Sequence, residues 1–385
     1  MIWKILLAAA SAAFGILLLE IGLRLAGYQA IYDVYSKPSI FWEYDPVLGW
    51  AHTPGSEATY VGPRPWPIEF STPIRINSQG LRGPEIDPLP PMGVRVLLQG
   101  DSRVAAFEVA YEDTFGARLE TGLSEELGVP VQVINAGVRG YGTDQSYLYF
   151  LERGHEFNPD LVIHVHSGND TRNNVTIHRM RRPFAKAAFA LTDGELELRG
   201  APVSAYPLCS AYRMGADFKL RKISSRSSEI VCGFQMLLAD RSALFTLLTL
   251  RLVENRALVN ILYGLGSPTR SDLIDQKSTL GAVGYETRLT RALIRAFSDA
   301  VEANGSNFLL FTGQPVSAAK AIAPEDIEVL DPSKALEGVS PRSVSYQNDG
   351  HFNEQGHRLI AEYLTPRVAA FLRERGIPPG SPGPE

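Results

Sequence analysis

Four short apolar runs, each closing on a glycine, with stretches of helical period after the first and second and ahead of the fourth, constrain the fold of this chain more than anything else in it. They are "VRVLLQG" from Val94, "VQVINAG" from Val131, "DLVIHVHSG" from Asp160 and "NFLLFTG" from Asn307. Short runs that are apolar throughout suit strands covered on both faces, as in a parallel sheet. Between the first two, Asp113 is placed to cap a helix with Phe115, Leu119, Leu123 and Leu127 on one face and a stop at Gly128. After the second, "TDQSYLYFLERG" reads as a helix capped by Thr143 or Asp144. Ahead of the fourth, "YETRLTRALIRAFSDAVEANG" aligns Leu289, Leu293, Phe297 and Val301 and ends at Asn-Gly. "IEVLD" offers a short fifth strand, and a last helix starts near Asn353 with Pro366 inside it. Strand and helix alternating with short turns predict a three-layer α/β/α sandwich around a parallel sheet. Chemistry in such sheets gathers at the carboxyl ends of the strands.

The ends of the chain differ from this middle. Residues 1–27 hold an uncharged run from Ile5 to Leu19 flanked by Lys4, Glu20 and Arg24. A helix from Ile2 to Leu25, about 36 Å long, covers a bilayer if Lys4 and Arg24 snorkel. Without a small-x-small cleavage site behind it, the segment reads as an uncleaved signal anchor. Lys4 favours an inside N-terminus, which puts the rest of a single-pass protein outside the cytoplasm. Residues 28–92 are rich in Pro, Gly and aromatics and read as short strands and turns beside the main domain at 93–375. That domain carries an insertion at about 175–282, and the tail at 376–385 is too poor in apolar residues to pack. Hydrophobic content of 45% with 21% charged residues is globular, and a net charge of −5 leaves no basic footprint for nucleic acid. The two cysteines, Cys209 and Cys232, cannot make a zinc site alone; outside the cytoplasm they are candidates for a disulfide.

The strand ends carry the reactive groups. The first strand runs into Gly100-Asp101-Ser102, the second into "NAGVRGYG", the third into "SGNDTRNN". Near the C-terminus, "NDGHFNEQGH" places Asp349 two residues before His351. A serine hydroxyl is a poor nucleophile until an imidazole takes its proton, and a carboxylate must orient that imidazole. In an extended segment, residues two apart project to one side, so Asp349 can reach one ring nitrogen while the other faces Ser102. The backbone N–H groups of Ser102 and Gly137 and the Asn169 amide are the candidate oxyanion donors. His357 lies within the helix six residues on, a spacing that does not suit a shared metal, and reads as structural. His164 and His166 alternate along the third strand and read as core or near-site histidines, not ligands. No metal or cofactor is expected.

Together the blocks "GDS", "NAGVRGYGTDQ", "PDLVIHVHSGND" and "DGHFNEQGHRLIAEYL" resemble the SGNH hydrolases, or GDSL esterase/lipase superfamily, from residue 94 to about 370. "INSQGLRGPEI", ahead of the first strand, looks like membrane-anchored bacterial members. The resemblance implies a flavodoxin-like sheet and an acyl-enzyme on Ser102, with Asp349 and His351 completing the triad and Gly137 and Asn169 the oxyanion hole. Two positions depart from the usual pattern: Ser167 stands where glycine is common, and one residue rather than two separates Asp349 from His351, as in the alginate acetyltransferase-like branch. Arg103, directly after the nucleophile, is a weak candidate for binding an anionic or sugar substrate; a surface arginine is the plainer reading.

The expected function is therefore a membrane-anchored extracytoplasmic serine esterase acting on acyl esters, O-acetyl esters of carbohydrates among them. A carbohydrate O-acyltransferase would share every catalytic residue, and a non-catalytic glycan-binding module would need none of them. Within the insertion, "ALTDGELEL" reads as a hairpin with an Asp-Gly turn. "ALFTLLTLRLVENRALVNILYGLG" reads as a helix packed over the core, with a lid or a membrane-surface patch as alternatives.

Overall fold

The computed structural model describes residues 2–26, 41–62, 68–87, 93–175, 186–203, 212–214, 220–222, 238, 241–252, 284–312 and 316–377. Cys209, Cys232 and the tail beyond residue 377 lie outside these. Helix α1 (Ile2–Leu25) is long and apolar enough to cross a membrane, and none of its residues is buried.

Two antiparallel hairpins follow, β1 (Trp42–Asp45) with β2 (Gly49–His52) and β3 (Glu57–Gly62) with β4 (Phe70–Arg75). The central sheet is built from β5 (Val94–Gly100), β6 (Val131–Asn135) and β7 (Leu161–His166). Helices α2 (Ser102–Ala105) and α3 (Phe115–Leu127) follow β5, α4 (Thr143–Glu152) follows β6, and α5 (Asp170–Asn174) follows β7. In the insertion, β8 (Ala188–Thr192) pairs with β9 (Glu195–Arg199) across Asp193-Gly194, both at positive φ as the expected turn requires. A short pair, β10 (Tyr212–Met214) and β11 (Leu220–Lys222), and helix α6 (Ala243–Leu252) come next. Then α7 (Tyr285–Ala303), β12 (Asn307–Thr312), β13 (Val329–Leu330) and the last helix, α8 (Glu354–Glu374), complete the domain.

The sheet runs β13-β12-β7-β5-β6, with every pairing parallel. In chain order that is 2-1-3-4-5, the flavodoxin-like arrangement, so the switch point lies between β5 and β7. Neighbouring residues of one strand serve opposite cores. Leu97, Ile134 and Val162 join Leu148 and Phe150 of α4 and Leu293 and Phe297 of α7 on one face. Val96, Leu98 and Ile163 join Leu119 and Leu123 of α3 and Leu364 and Val368 of α8 on the other. This is the expected three-layer sandwich.

Two local readings are corrected. Thr114, not Asp113, caps α3 by accepting the Ala117 N–H, while Asp113 pairs with Arg118. Neither Thr143 nor Asp144 caps α4, which begins after Gly142 with no side-chain cap. Asp144 is buried against the ammonium of Lys186 instead, an ion pair made by a residue far away in the chain. The 41–87 segment is also more than an appendage. Phe41, Trp50 and Tyr60 lie in the same core as Phe107 and Tyr141.

Candidate active site

Ser102 opens α2 at the carboxyl end of β5, where Asp101 caps the helix by accepting the Arg103 N–H at 3.0 Å. Asp101 is buried and binds two further donors, the Ser167 hydroxyl at 2.8 Å and the Asn169 amide at 2.9 Å. Burial would raise its carboxyl pKa, but these three donors win and hold it below the usual range. One ionised carboxylate thus ties the end of β5 to the end of β7 across the switch point. Ser167, where glycine is usual in the resembling family, contributes one of those ties.

The opening "NDGH" is not extended, as two-residue spacing had suggested. Gly350 sits at φ +85, a left-handed position, and its N–H donates to the Tyr346 carbonyl at 2.9 Å. The turn folds Asp349 back onto His351, whose Nδ1 bonds to the Asp349 carboxylate. His351 Nε2 lies 2.7 Å from the Ser102 hydroxyl. Serine, histidine and aspartate therefore form one chain of contacts. The structure brings these three sequence-predicted residues together although Ser102 and His351 are 249 positions apart.

The loop is cradled from the extension. Glu69 accepts the backbone N–H groups of Gln347 (2.8 Å), Asn348 (2.9 Å) and Asp349 (3.2 Å). Phe70 packs edge-on against Tyr346. The "QGLRG" stretch is also put to use: buried Arg82 donates to the carbonyls of Ala105, Ala106 and Val109, clamping the chain behind Ser102.

A second carboxylate faces the same imidazole. Glu108 is fully buried, with Oε1 3.5 Å from His351 Nδ1, and it pairs with the guanidinium of Arg139. Burial alone would push the His351 pKa down; the charge of Glu108 and the bond to Asp349 hold it above the ordinary histidine value. Asp349, which burial would raise, is kept low chiefly by its bond to His351. Sequence reasoning missed Glu108 and Arg139. A lone acid inside "AAFEVA" was the available signal, since glutamate seldom enters an apolar run unpaired.

The other predicted residues take varied places. Asn169 sits at the end of β7 with one amide hydrogen on Asp101. Its amide also makes a long contact of 3.5 Å to Asp170 Oδ1, at the limit of hydrogen bonding. Gly137 is placed differently from the expected oxyanion donor: its N–H is committed to Asn135 Oδ1 at 3.1 Å. A side chain there would meet Val104 at 2.5 Å, so glycine lets β6 pass beneath α2. Arg103 stacks on the ring of Phe352 at 4.8 Å, beside His351. His357 accepts the Phe115 N–H at 3.2 Å and stacks on the Phe115 ring; burial drives its pKa down to about 3, so it stays neutral.

His164, His166 and Asp170 bring ligand atoms within 4.8 Å of one another, all buried. The Thr143 hydroxyl stands among them, 3.2 Å from His166 Nδ1 and 3.4 Å from His164 Nε2, while Asp170 accepts the Ser167 N–H. These contacts join the three into a buried polar brace under β7, with burial taking the pKa values of His164 and His166 down to about 3 and about 4, so both imidazoles stay neutral. Glu108, Asp349 and His351 make a similar cluster, occupied by the contacts above.

No protein-family model and no curated protein matches the sequence. Among solved structures, the chain is similar to a protein assigned to the lipolytic G-D-S-L family from Desulfitobacterium hafniense, at 12% identity over 71% of this chain and 98% of that one, with a TM-score of 0.34. It is also similar to the lipase Lip_vut3 from a goat rumen metagenome, at 13% identity over 72% and 97%, TM-score 0.35. A Geobacillus acetyl-xylooligosaccharide esterase matches at 14% identity over 74% and 97%, TM-score 0.27.

Proposed function

We propose that this protein is a serine ester hydrolase of the SGNH type, held at the extracytoplasmic face of a membrane by α1 and working through an acyl-enzyme on Ser102. The observation that carries this reading is the contact chain from the Ser102 hydroxyl through His351 to Asp349 at the switch point of the sheet. His351 Nε2 takes the hydroxyl proton as Ser102 Oγ attacks the ester carbonyl carbon. The oxyanion that forms is met by the Ser102 N–H and by the Asn169 amide, which exchanges its long contact with Asp170 for the developing charge. As the tetrahedral species collapses, the C–O bond to the alcohol breaks and His351 returns the proton to that oxygen. Water then attacks the acyl carbon and gives its proton to His351; the bond from that carbon to Ser102 Oγ breaks, His351 returns the proton to Oγ, and the acid leaves. Arg103 stacks on Phe352 beside the imidazole, which supports it as a contact for an anionic or sugar substrate.

A polysaccharide hydroxyl in place of water would make the same residues an acyltransferase. The test is therefore double. A fluorophosphonate probe should label the full-length protein in detergent and fail to label Ser102→Ala. Acyl esters, p-nitrophenyl acetate and O-acetylated polysaccharides first, should release acid without an acceptor. Acyl transfer that requires added polysaccharide reassigns the reaction, and absence of labelling removes Ser102 as the nucleophile.

A further inference from the structure

We propose that α6 is embedded in the outer leaflet beside α1, with Glu20 as the cap that lets an apolar helix begin inside lipid. This rests on the reading of α1 as a retained membrane span. An acid in an apolar span needs a reason, and the contacts of Glu20 supply one. Its Oε1 accepts the N–H of Ala243 at 2.8 Å, and its Oε2 accepts the N–H of Leu244 at 2.9 Å. The third N–H of the helix, that of Phe245, goes to the Ser242 hydroxyl at 3.0 Å, which itself donates to Glu20 at 2.9 Å. Arg24, one turn further along α1, donates to Glu20 at 2.8 Å and also to the Arg241 carbonyl.

The opening turn of a helix leaves backbone N–H groups without partners inside the helix. In water such groups are solvated at little cost; in hydrocarbon each must find a partner within the protein. Here the first three are all taken by side chains, and the charge of the carboxylate is balanced by an arginine of the same span. The rest of α6, "ALFTLLTLRL", suits lipid, and Leu248 is half exposed. Glu20 lies five residues before the end of α1, about 8 Å along the helix axis, so α6 starts at that depth in the leaflet. At ten residues, about 15 Å long, α6 is too short to cross a bilayer and stays within one leaflet.

The experiment places a benzophenone amino acid, one position at a time, at Phe14, Leu248 and Leu198 of the full chain in phosphatidylethanolamine/phosphatidylglycerol vesicles. Lipid adducts after irradiation are read by mass spectrometry. Phe14 reports α1, and Leu198 in β9 is the exposed soluble control. The expected result is lipid adduct at Phe14 and Leu248 and none at Leu198. In Glu20→Ala the Leu248 adduct should be lost while that at Phe14 persists. Adduct at Phe14 without adduct at Leu248 overturns this inference and leaves the anchor standing. No adduct at Phe14 overturns the anchor reading, and this inference with it. An undiminished Leu248 adduct in Glu20→Ala removes Glu20 as the cap.

Discussion

Replacing Glu108 with glutamine removes a negative charge 3.5 Å from His351 Nδ1 while leaving an oxygen to accept from Arg139. At that separation a unit charge is worth about 5 kcal/mol at an effective dielectric of 20 and about 1 kcal/mol in bulk water. The imidazole is 23% exposed, so the effect falls between those limits. Loss of that attraction for the protonated imidazole should lower the His351 pKa. The sign follows from the mechanism. His351 must be neutral to accept the Ser102 proton, so its pKa sets the acid limb of kcat/KM. Its pKa is raised in the folded protein, which means Glu108→Gln should carry that limb to lower pH. Arg139, whose charge opposes protonation of His351, is present in both proteins, so the difference reports Glu108. The assay is kcat/KM for p-nitrophenyl acetate against pH, with thermal melts to show that the variant is folded. Glu108→Asp, which keeps the charge, should hold the limb close to that of the parent. A folded Glu108→Gln enzyme with an unmoved acid limb would refute the electrostatic role and leave Glu108 as a structural partner of Arg139.

Four other outcomes test the remaining assignments. Single-turnover acyl transfer should fall on the order of 10⁶-fold in Ser102→Ala or His351→Ala, and the double variant should be scarcely worse because the pair acts as a unit. Asp349→Asn should cost about 10⁴-fold or less, with Glu108 tempering the loss; a silent change would place the orienting acid on Glu108. Asn169→Ala should lower kcat by about 10²–10³ with folding retained, and an unchanged kcat would reduce Asn169 to a ligand of Asp101. His357→Ala should leave kcat intact and cost about 2–4 kcal/mol in denaturant unfolding, because it empties a packed site and orphans the Phe115 N–H; lost turnover in a folded variant would contradict that.

Much of this was readable from local pattern. Strands β5, β6, β7 and β12 declared themselves because a doubly covered strand is mostly apolar on both faces, and β8–β9 did so through an Asp-Gly pair that tolerates positive φ. Ser102, Asn169, Asp349 and His351 were found because each is a polar group at the end of an apolar run or inside a dense polar cluster. What the sequence could not decide was where each hydrogen bond goes, since a donor takes whichever acceptor the fold brings near. The Gly137 N–H went to Asn135, and the Asp144 carboxylate, in the first turn of α4, paired with Lys186. Glu69, Arg82, Glu108 and Arg139 stand alone in sequence and gain their parts only when the extension, the nucleophile turn and the C-terminal loop are packed together. The apolar alternation along the chain is a local property and dictates the sandwich; the partners of a buried charge are long-range, and only the tertiary structure assigns them.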